Sequence, residues 1–298
     1  NKMVDTKEIV DIFLKSEITT ISNFDSYKVS RLGGITNVNF KVEIGSQKFV
    51  LRLPGKNPDT SLNREAEKNN QLVAVEAGLT LPFLYFDVDS GVKISEFKEN
   101  LKALEPEELK SKEYLDKALD TLDKLHKSGI KFYKCFDHNV FFQQTNYEEK
   151  YKEIGETGEF LIEKINKIEE KLVPCHKDIF GPNFILLEEE MYLIDWEYSG
   201  MASRFFDYGD LCCQQNIEEE QRKEIFYKLK LEKNTEQQVL WNLYRYLTCL
   251  TWGLWATKKG ELDEEADKEY LNQGKKKIKL VLETVNSKNF EKHLSLKF

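Results

Sequence analysis

The texture of the chain changes once, near residue 95, and that change restricts the folds open to it. Before it, three short alternating segments (residues 27–32, 39–44 and 48–53) are cut by the turn residues Gly33-Gly34 and Gly45-Ser46, and Pro54-Gly55 and Asn57-Pro58 close the third. Alternation of period two, broken by tight turns, predicts an antiparallel meander. An opening helix over residues 4–15 (Val4, Ile9, Ile12, Phe13) precedes it; a helix over 62–77 and strands over 83–87 and 92–96 follow. From residue 105 onward the period is helical. The stretch 113–127 carries Leu115, Leu119, Leu122 and Leu125 on one face, and residues 148–172 read as a long charged helix. One strand pair interrupts the helices, over 183–187 and 191–194 about the turn 188–190. The expected class is therefore α+β: a small N-terminal antiparallel-sheet lobe with one helix over residues 1–96, and a larger, mainly helical lobe over 97–298.

With 298 residues the chain is long enough for both. The formal charge of −8 supplies no basic surplus to neutralise phosphates, which argues against a nucleic-acid partner and against anionic lipid. No apolar run approaches the roughly 18 residues that span a bilayer. Five cysteines, odd in number and without C-x-x-C spacing, fit reduced thiols in a cytoplasm better than a metal or disulfide framework. The first residues contain no apolar stretch of signal-peptide type, which matches that expectation.

The densest chemistry lies in Cys175-His176-Lys177-Asp178-Ile179-Phe180-Gly181-Pro182-Asn183, an H-x-D-x-x-x-x-N run that enters the expected hairpin. The hairpin's second strand ends in Ile194-Asp195-Trp196-Glu197. Phosphoryl transfer asks a protein for an oriented acceptor hydroxyl, a group to accept its proton, and oxygen ligands for magnesium. Asp178 fits the first two tasks, and Asn183 and Asp195 fit the third. The hairpin makes their sequence gap short in space. His176 is better read as a loop-shaping hydrogen-bond partner than as a proton carrier.

On these residues the chain resembles the protein-kinase-like superfamily, on the branch of aminoglycoside phosphotransferases and choline/ethanolamine kinases. The resemblance implies a bilobal kinase fold, ATP as co-substrate, Mg²⁺ and an alcohol acceptor. Asp195-Trp196-Glu197 stands where protein kinases carry aspartate-phenylalanine-glycine, and no protein-kinase activation segment is recognisable, which favours a small acceptor. Leu32-Gly33-Gly34-Ile35-Thr36-Asn37 would by itself be a hairpin turn; it is similar to the phosphate-covering G-G-x-T-N loop of choline kinases, so Gly33, Gly34, Thr36 and Asn37 are candidates for nucleotide contact. Arg52 is placed by the resemblance as the phosphate-contacting cation. Glu65 is its expected partner, with Glu67 as an alternative and a surface ion pair as the plain reading. Residues 94–97, Ile94 to Phe97, resemble the hinge that lines an adenine pocket through backbone groups.

The acceptor is addressed by Trp252 and Trp255. On a helix, Trp241, Tyr244, Thr248, Trp252 and Trp255 share one stripe, a pattern that serves a core as readily as a site. Indole faces attract quaternary ammonium, and choline kinases carry a similar W-x-x-W pair followed by a tyrosine, here Tyr270. The run 194–199 also resembles theirs. One departure stands out: choline kinases carry glutamate at the position of Gln214, near the ammonium, and its loss leaves ethanolamine or another amino alcohol open. An aminoglycoside acceptor would ask for a broadly acidic cleft, and a nucleotide-binding scaffold without catalysis would have no need of Asp178, Asn183 and Asp195 together. Asp207 is expected to brace the catalytic loop. Choline, phosphorylated from ATP with Mg²⁺, is the acceptor that these features favour.

Overall fold

The computed structural model describes residues 6–18, 27–34, 37–55, 61–262, 268–295 and 298. Helix α1 (Thr6–Ser16) lies against a five-stranded antiparallel sheet of β1 (Tyr27–Gly33), β2 (Asn37–Ile44), β3 (Gln47–Pro54), β4 (Tyr85–Phe86) and β5 (Lys93–Glu96), in the order β1-β2-β3-β5-β4. The alternation in the sequence explains its core: Phe40, Val42 and Ile44 of β2, Phe49 and Leu51 of β3 and Ile94 of β5 turn to one face, where Ile9 and Phe13 of α1 cover them. Residues 4 and 5 of the expected opening helix lie outside the described residues.

Helix α2 (Arg64–Glu76) follows, capped by the Asn63 side chain, which accepts the Ala66 N–H. It belongs to both halves. Ala74 packs into the large core, and Asn70 donates to Tyr133 O (2.8 Å) and Ser199 Oγ (2.9 Å) while accepting the Tyr133 N–H (2.8 Å).

Beyond residue 100 come β6 (Lys102–Ala103), α3 (Pro106–Leu109), α4 (Lys112–Lys127), α5 (His138–Asn146), α6 (Lys152–Asn166), β7 (Leu172–Cys175), β8 (Phe184–Leu187), β9 (Glu190–Leu193), β10 (Gly200–Ser203), α7 (Arg204–Gln214), α8 (Glu219–Lys228), α9 (Thr235–Leu262), α10 (Lys268–Val285) and α11 (Phe290–Leu294). Strands β8 and β9 form the expected hairpin, with β6 on its outer edge, and β7 pairs with β10. The long charged helix is shorter than its pattern: α6 stops at Asn166, and Leu172 already opens β7. Residues 172–175 are instead drawn into pairing with β10, and Pro174 keeps Val173 extended. Helix α9 is the spine of this half. Gly209 lets α7 approach it on one side, and Gly253 and Gly274 let α10 approach it on the other; a Cβ on Gly253 would sit 2.8 Å from the Gly274 carbonyl oxygen. Among the described residues no helix is long and apolar enough to cross a membrane.

Candidate active site

The loop after β7 is pinned by one helix. Asp207, in the first turn of α7 and fully buried, accepts the His176 N–H (3.0 Å) and the Lys177 N–H (2.8 Å), and its carboxylate also meets His126 Nε2 (2.8 Å). One turn on, Asp210 accepts the Ile179 N–H (2.6 Å); Gln215 accepts the Gly181 N–H (2.9 Å) and donates to Ile179 O (2.6 Å). The bracing expected of Asp207 is the geometry found. His176 is also built into the frame: Nδ1 accepts the Asp178 N–H (3.3 Å), so Nε2 donates to Ile194 O (2.8 Å), and the ring lies 4.7 Å from that of Trp196.

Asp178 emerges from this loop with both oxygens engaged. Asn183 Nδ2 donates to Oδ2 (2.9 Å) and to the Asp178 carbonyl (2.9 Å), and Gln214 Nε2 donates to Oδ1 (2.7 Å). Burial, and to a smaller degree the charge of Asp195, pushes the Asp178 carboxyl above its ordinary range. The Ile194 N–H donates to Asn183 O (2.9 Å), which closes the mouth of the hairpin and brings Asp195 beside Asn183. Lys177 (φ 67°) and Asp195 (φ 66°) both adopt left-handed backbone. For non-glycine residues that conformation is costly, and beside Asp178 and just past the end of β9 it fits a framework that fixes where their neighbours point.

On the sheet side, Arg52 is buried and central. Its guanidinium contacts Glu67 through Nη1 (2.5 Å) and Nη2 (3.3 Å), Asp195 Oδ1 (3.3 Å) and Gly91 O (3.1 Å). The partner is thus Glu67 and not Glu65, which is exposed on the opposite side of α2. Although burial pushes the Glu67 carboxyl up, the Arg52 cation, with Lys93 and Arg64, brings it down to about 2. Lys93 faces Arg52 across the β3–β5 pair and donates to Gln71 Oε1 (3.0 Å); burial, and next the Arg52 charge, lowers it to about 8. Arg64 bridges Glu67 (2.7 Å) and Glu197 (2.8 Å). Burial, then the Asp195 and Glu67 charges, raises Glu197 to about 8.

The glycine loop has its conformational reason. Gly33 (φ 129°) and Gly34 (φ 117°) adopt backbone that side chains avoid, and a Cβ on Gly34 would lie 1.9 Å from Asn37 O. Thr36 lies outside the described residues. Asn37 is buried and donates to Glu197 Oε2 (3.2 Å), so its amide ties the loop to the hairpin end rather than standing open as a phosphate donor. Ile94 departs from its expected place at an adenine pocket: its side chain is fully buried in the sheet core and its carbonyl accepts the Leu84 N–H (2.8 Å). The Phe97 N–H likewise donates to Lys48 O (3.0 Å).

The aromatic stripe on α9 divides. Trp241 and Tyr244 join the large core, whereas Trp252 and Trp255 form a separate cluster with Phe136 and Tyr198. Ring centroids run Phe136–Tyr198 5.4 Å, Tyr198–Trp252 5.1 Å, Trp252–Trp255 6.3 Å and Trp255–Tyr270 6.2 Å, all edge-on. Trp252 Nε1 donates to Asp210 Oδ1 (2.7 Å), and Gln214 Nε2 reaches Asp210 Oδ2 (3.2 Å). Gln214 therefore links the Asp178 loop to the aromatic cluster. Sequence reasoning missed Lys93, Asp210, Tyr198 and Phe136. Lys93 left a signal, a cation between Val92 and Ile94 in a strand; Phe136, in an irregular stretch, left none.

A kinase-like fold with an aspartate-centred loop beside Asn183 and Asp195 defines a phosphotransferase that acts on an alcohol. The family model for choline/ethanolamine kinases matches residues 29–244, and the chain belongs to that family. Protein LicA of Haemophilus influenzae is 29% identical over 260 residues, 80% of this chain and 75% of that one. Among solved structures, LicA in complex with AMP aligns with a TM-score of 0.76 at 22% identity over 93% of this chain and 98% of that chain. The choline kinase LicA of Streptococcus pneumoniae aligns with a TM-score of 0.74 at 22% identity over 93% and 99%.

Proposed function

We propose that the chain transfers the terminal phosphoryl group of ATP to the hydroxyl of choline, giving phosphocholine and ADP. The observation that carries this reading is the continuous path Asn183–Asp178–Gln214–Asp210–Trp252, which joins a proton acceptor to an aromatic cluster suited to a quaternary ammonium. Residues 1–96 then serve as the nucleotide lobe and 97–298 as the catalytic and acceptor lobe.

Asp178 holds the acceptor hydroxyl and takes its proton as the oxygen bonds to the terminal phosphorus; the bond from that phosphorus to the bridging oxygen breaks and leaves ADP. Asn183 turns both amide N–H bonds to Asp178, which leaves its oxygen outward, and Asp195 stands across the hairpin mouth. This all-oxygen donor set fits Mg²⁺, which when bound neutralises charge on the phosphates. Arg52, oriented by Glu67, is the phosphate-facing cation, with Lys93 beside it. Gly33 and Gly34 bend the loop that covers the phosphates. Trp252, Trp255 and Tyr270, with Tyr198, hold the acceptor's ammonium. That AMP occupies the LicA structure, and that the Streptococcus enzyme is a choline kinase, both support the reading.

The test is a turnover panel of choline, ethanolamine, thiamine and kanamycin with ATP and Mg²⁺. Choline should give the highest kcat/KM; a higher value for ethanolamine would overturn the choline reading. Asp178→Ala should lower kcat by about 10²–10⁴ while ATP still binds. A variant as active as the native enzyme removes Asp178 from its role.

A further inference from the structure

Asp210 is a buried carboxylate without a counter-charge. It is fully enclosed, and the three groups that hydrogen-bond to it are all neutral N–H donors: Ile179 N (2.6 Å), Gln214 Nε2 (3.2 Å) and Trp252 Nε1 (2.7 Å). Among the described residues no lysine, arginine or histidine lies within ion-pair distance of it. A carboxylate of the same sign stands close by, since Gln214 Nε2 bridges Asp210 Oδ2 (3.2 Å) and Asp178 Oδ1 (2.7 Å). Burial, and next the Asp178 charge, pushes the Asp210 carboxyl up, and a cation close by is what would offset both. Burying a carboxylate is expensive unless something positive shares the site. Three N–H donors, two on Oδ2 and one on Oδ1, favour the ionised form, which accepts hydrogen bonds on both oxygens.

The position of this charge is informative. Trp252 donates from its ring edge, so Asp210 stands behind the indole in the plane of the ring and leaves both faces free of it. Tyr198 and Trp255 meet Trp252 edge-on, at 84° and 75°. A carboxylate at the indole N–H pushes electron density into the ring and adds its own field, and both effects strengthen attraction for a cation on the face. Gln214, one helical turn further along α7, has no charge to contribute and acts as the donor that keeps Asp178 and Asp210 apart.

We infer that Asp210 is the residue that makes this enzyme select a cationic acceptor: it acts through Trp252 as a positioning and charge-matching residue, and the ammonium of the amino alcohol is its missing counter-ion. This inference rests on the amino-alcohol reading above and deepens it, because it places the source of charge selectivity at a residue that need not touch the substrate.

The experiment compares choline with 3,3-dimethyl-1-butanol, which has the same shape with carbon in place of the charged nitrogen. Steady-state kinetics on the full chain give KM for choline and the inhibition constant of the neutral alcohol. Asp210→Asn should raise the choline KM by about tenfold to thirtyfold, the scale of one unit charge acting across a ring's width in a protein interior, while the neutral alcohol's constant moves less than twofold. Equal shifts for both ligands would mean that Asp210 only shapes the loop, and would overturn the inference. Because the single variant also disturbs the Ile179 and Trp252 bonds, the double variant Asp210→Asn with Gln214→Glu moves the carboxylate one turn along the same helix. It should recover most of the discrimination; a double variant no better than the single one counts against a charge role. If the native enzyme ignored choline, the acceptor reading would fall instead. Both ligands would then be measured as inhibitors of ethanolamine turnover, where a shift confined to choline supports the charge role and equal shifts refute it.

Discussion

Glu67 shows how much a single side chain can carry in this fold. It is fully buried, pairs with Arg52 and Arg64, and lies 3.6 Å from Lys93. Its carboxyl is held at about 2, against 4.5 for a free glutamate. A carboxylate with a lowered folded value contributes stability that is fully present above the unfolded value. That contribution fades as pH falls from about 4.5 toward 2. Glu67→Gln should therefore cost about 3 kcal/mol at pH 7, measured by urea unfolding, and should flatten the stability loss between pH 5 and 3. Glu65→Gln, at an exposed position, should change stability by less than about 0.5 kcal/mol. The sequence offered both glutamates in Arg64-Glu65-Ala66-Glu67, and the expected partner was Glu65, the one the structure leaves exposed. The inward face of α2 is Glu67, Asn70, Gln71 and Ala74, so polar residues occupy the positions that a hydrophobic period would mark. A buried polar face is silent to pattern reading. Only the ion pairs and hydrogen bonds that satisfy it reveal which side is inside.

Among the elements, the crossing of α9 and α10 decides whether the aromatic cluster closes. A Cβ on Gly274 would stand 2.8 Å from Ala256 Cβ and 3.0 Å from the Gly253 carbonyl oxygen, and backbone cannot yield to it. Gly274→Ala should push α10 outward, cost about 1–3 kcal/mol of stability, and part Tyr270 from Trp255. The expected result is a choline KM raised severalfold with the ATP KM within twofold, read from kinetics at a temperature where the variant stays folded. An unchanged choline KM would remove Tyr270 from the acceptor site. The elements themselves were legible where alternation or amphipathicity was strong: β1 to β3, α4 and the β8–β9 hairpin all follow from period and turn residues. Strands β7 and β10 were not, since a four-residue strand supported by a distant partner leaves no local period. The stripe on α9 was visible but indivisible, because Trp241 and Trp252 obey the same spacing. What separates them is the neighbour that covers each, α7 and α8 for the first and the 136–141 segment for the second.

For the molecule as a whole, two hydrophobic cores are joined by polar bridges rather than by a shared apolar seam. The sheet core and the large core meet across Arg52–Asp195 (3.3 Å), Arg64–Glu197 (2.8 Å) and Asn37–Glu197 (3.2 Å), with α2 tied to residues 133 and 199 through Asn70. The residues proposed to meet nucleotide and metal are thus the same ones that hold the halves together, and ligand binding should register as added cohesion of the entire chain. Anything that binds only the folded state stabilises it in proportion to the logarithm of its saturation. With ATP and Mg²⁺ at about one hundred times the dissociation constant, the gain is about 2.7 kcal/mol, and for a chain of this length that raises Tm by about 4 °C. Chelation with EDTA should remove the metal-dependent part of that rise, followed by differential scanning fluorimetry. Asp195→Asn, which removes the one charge in the proposed metal donor set and one of the two carboxylates on Arg52, should abolish the same part while leaving a smaller shift from ATP alone. A full shift in the presence of EDTA, or in Asp195→Asn, would show that the nucleotide is held without a cation at Asn183 and Asp195. The metal assignment would then have to be abandoned even if the enzyme still phosphorylated choline.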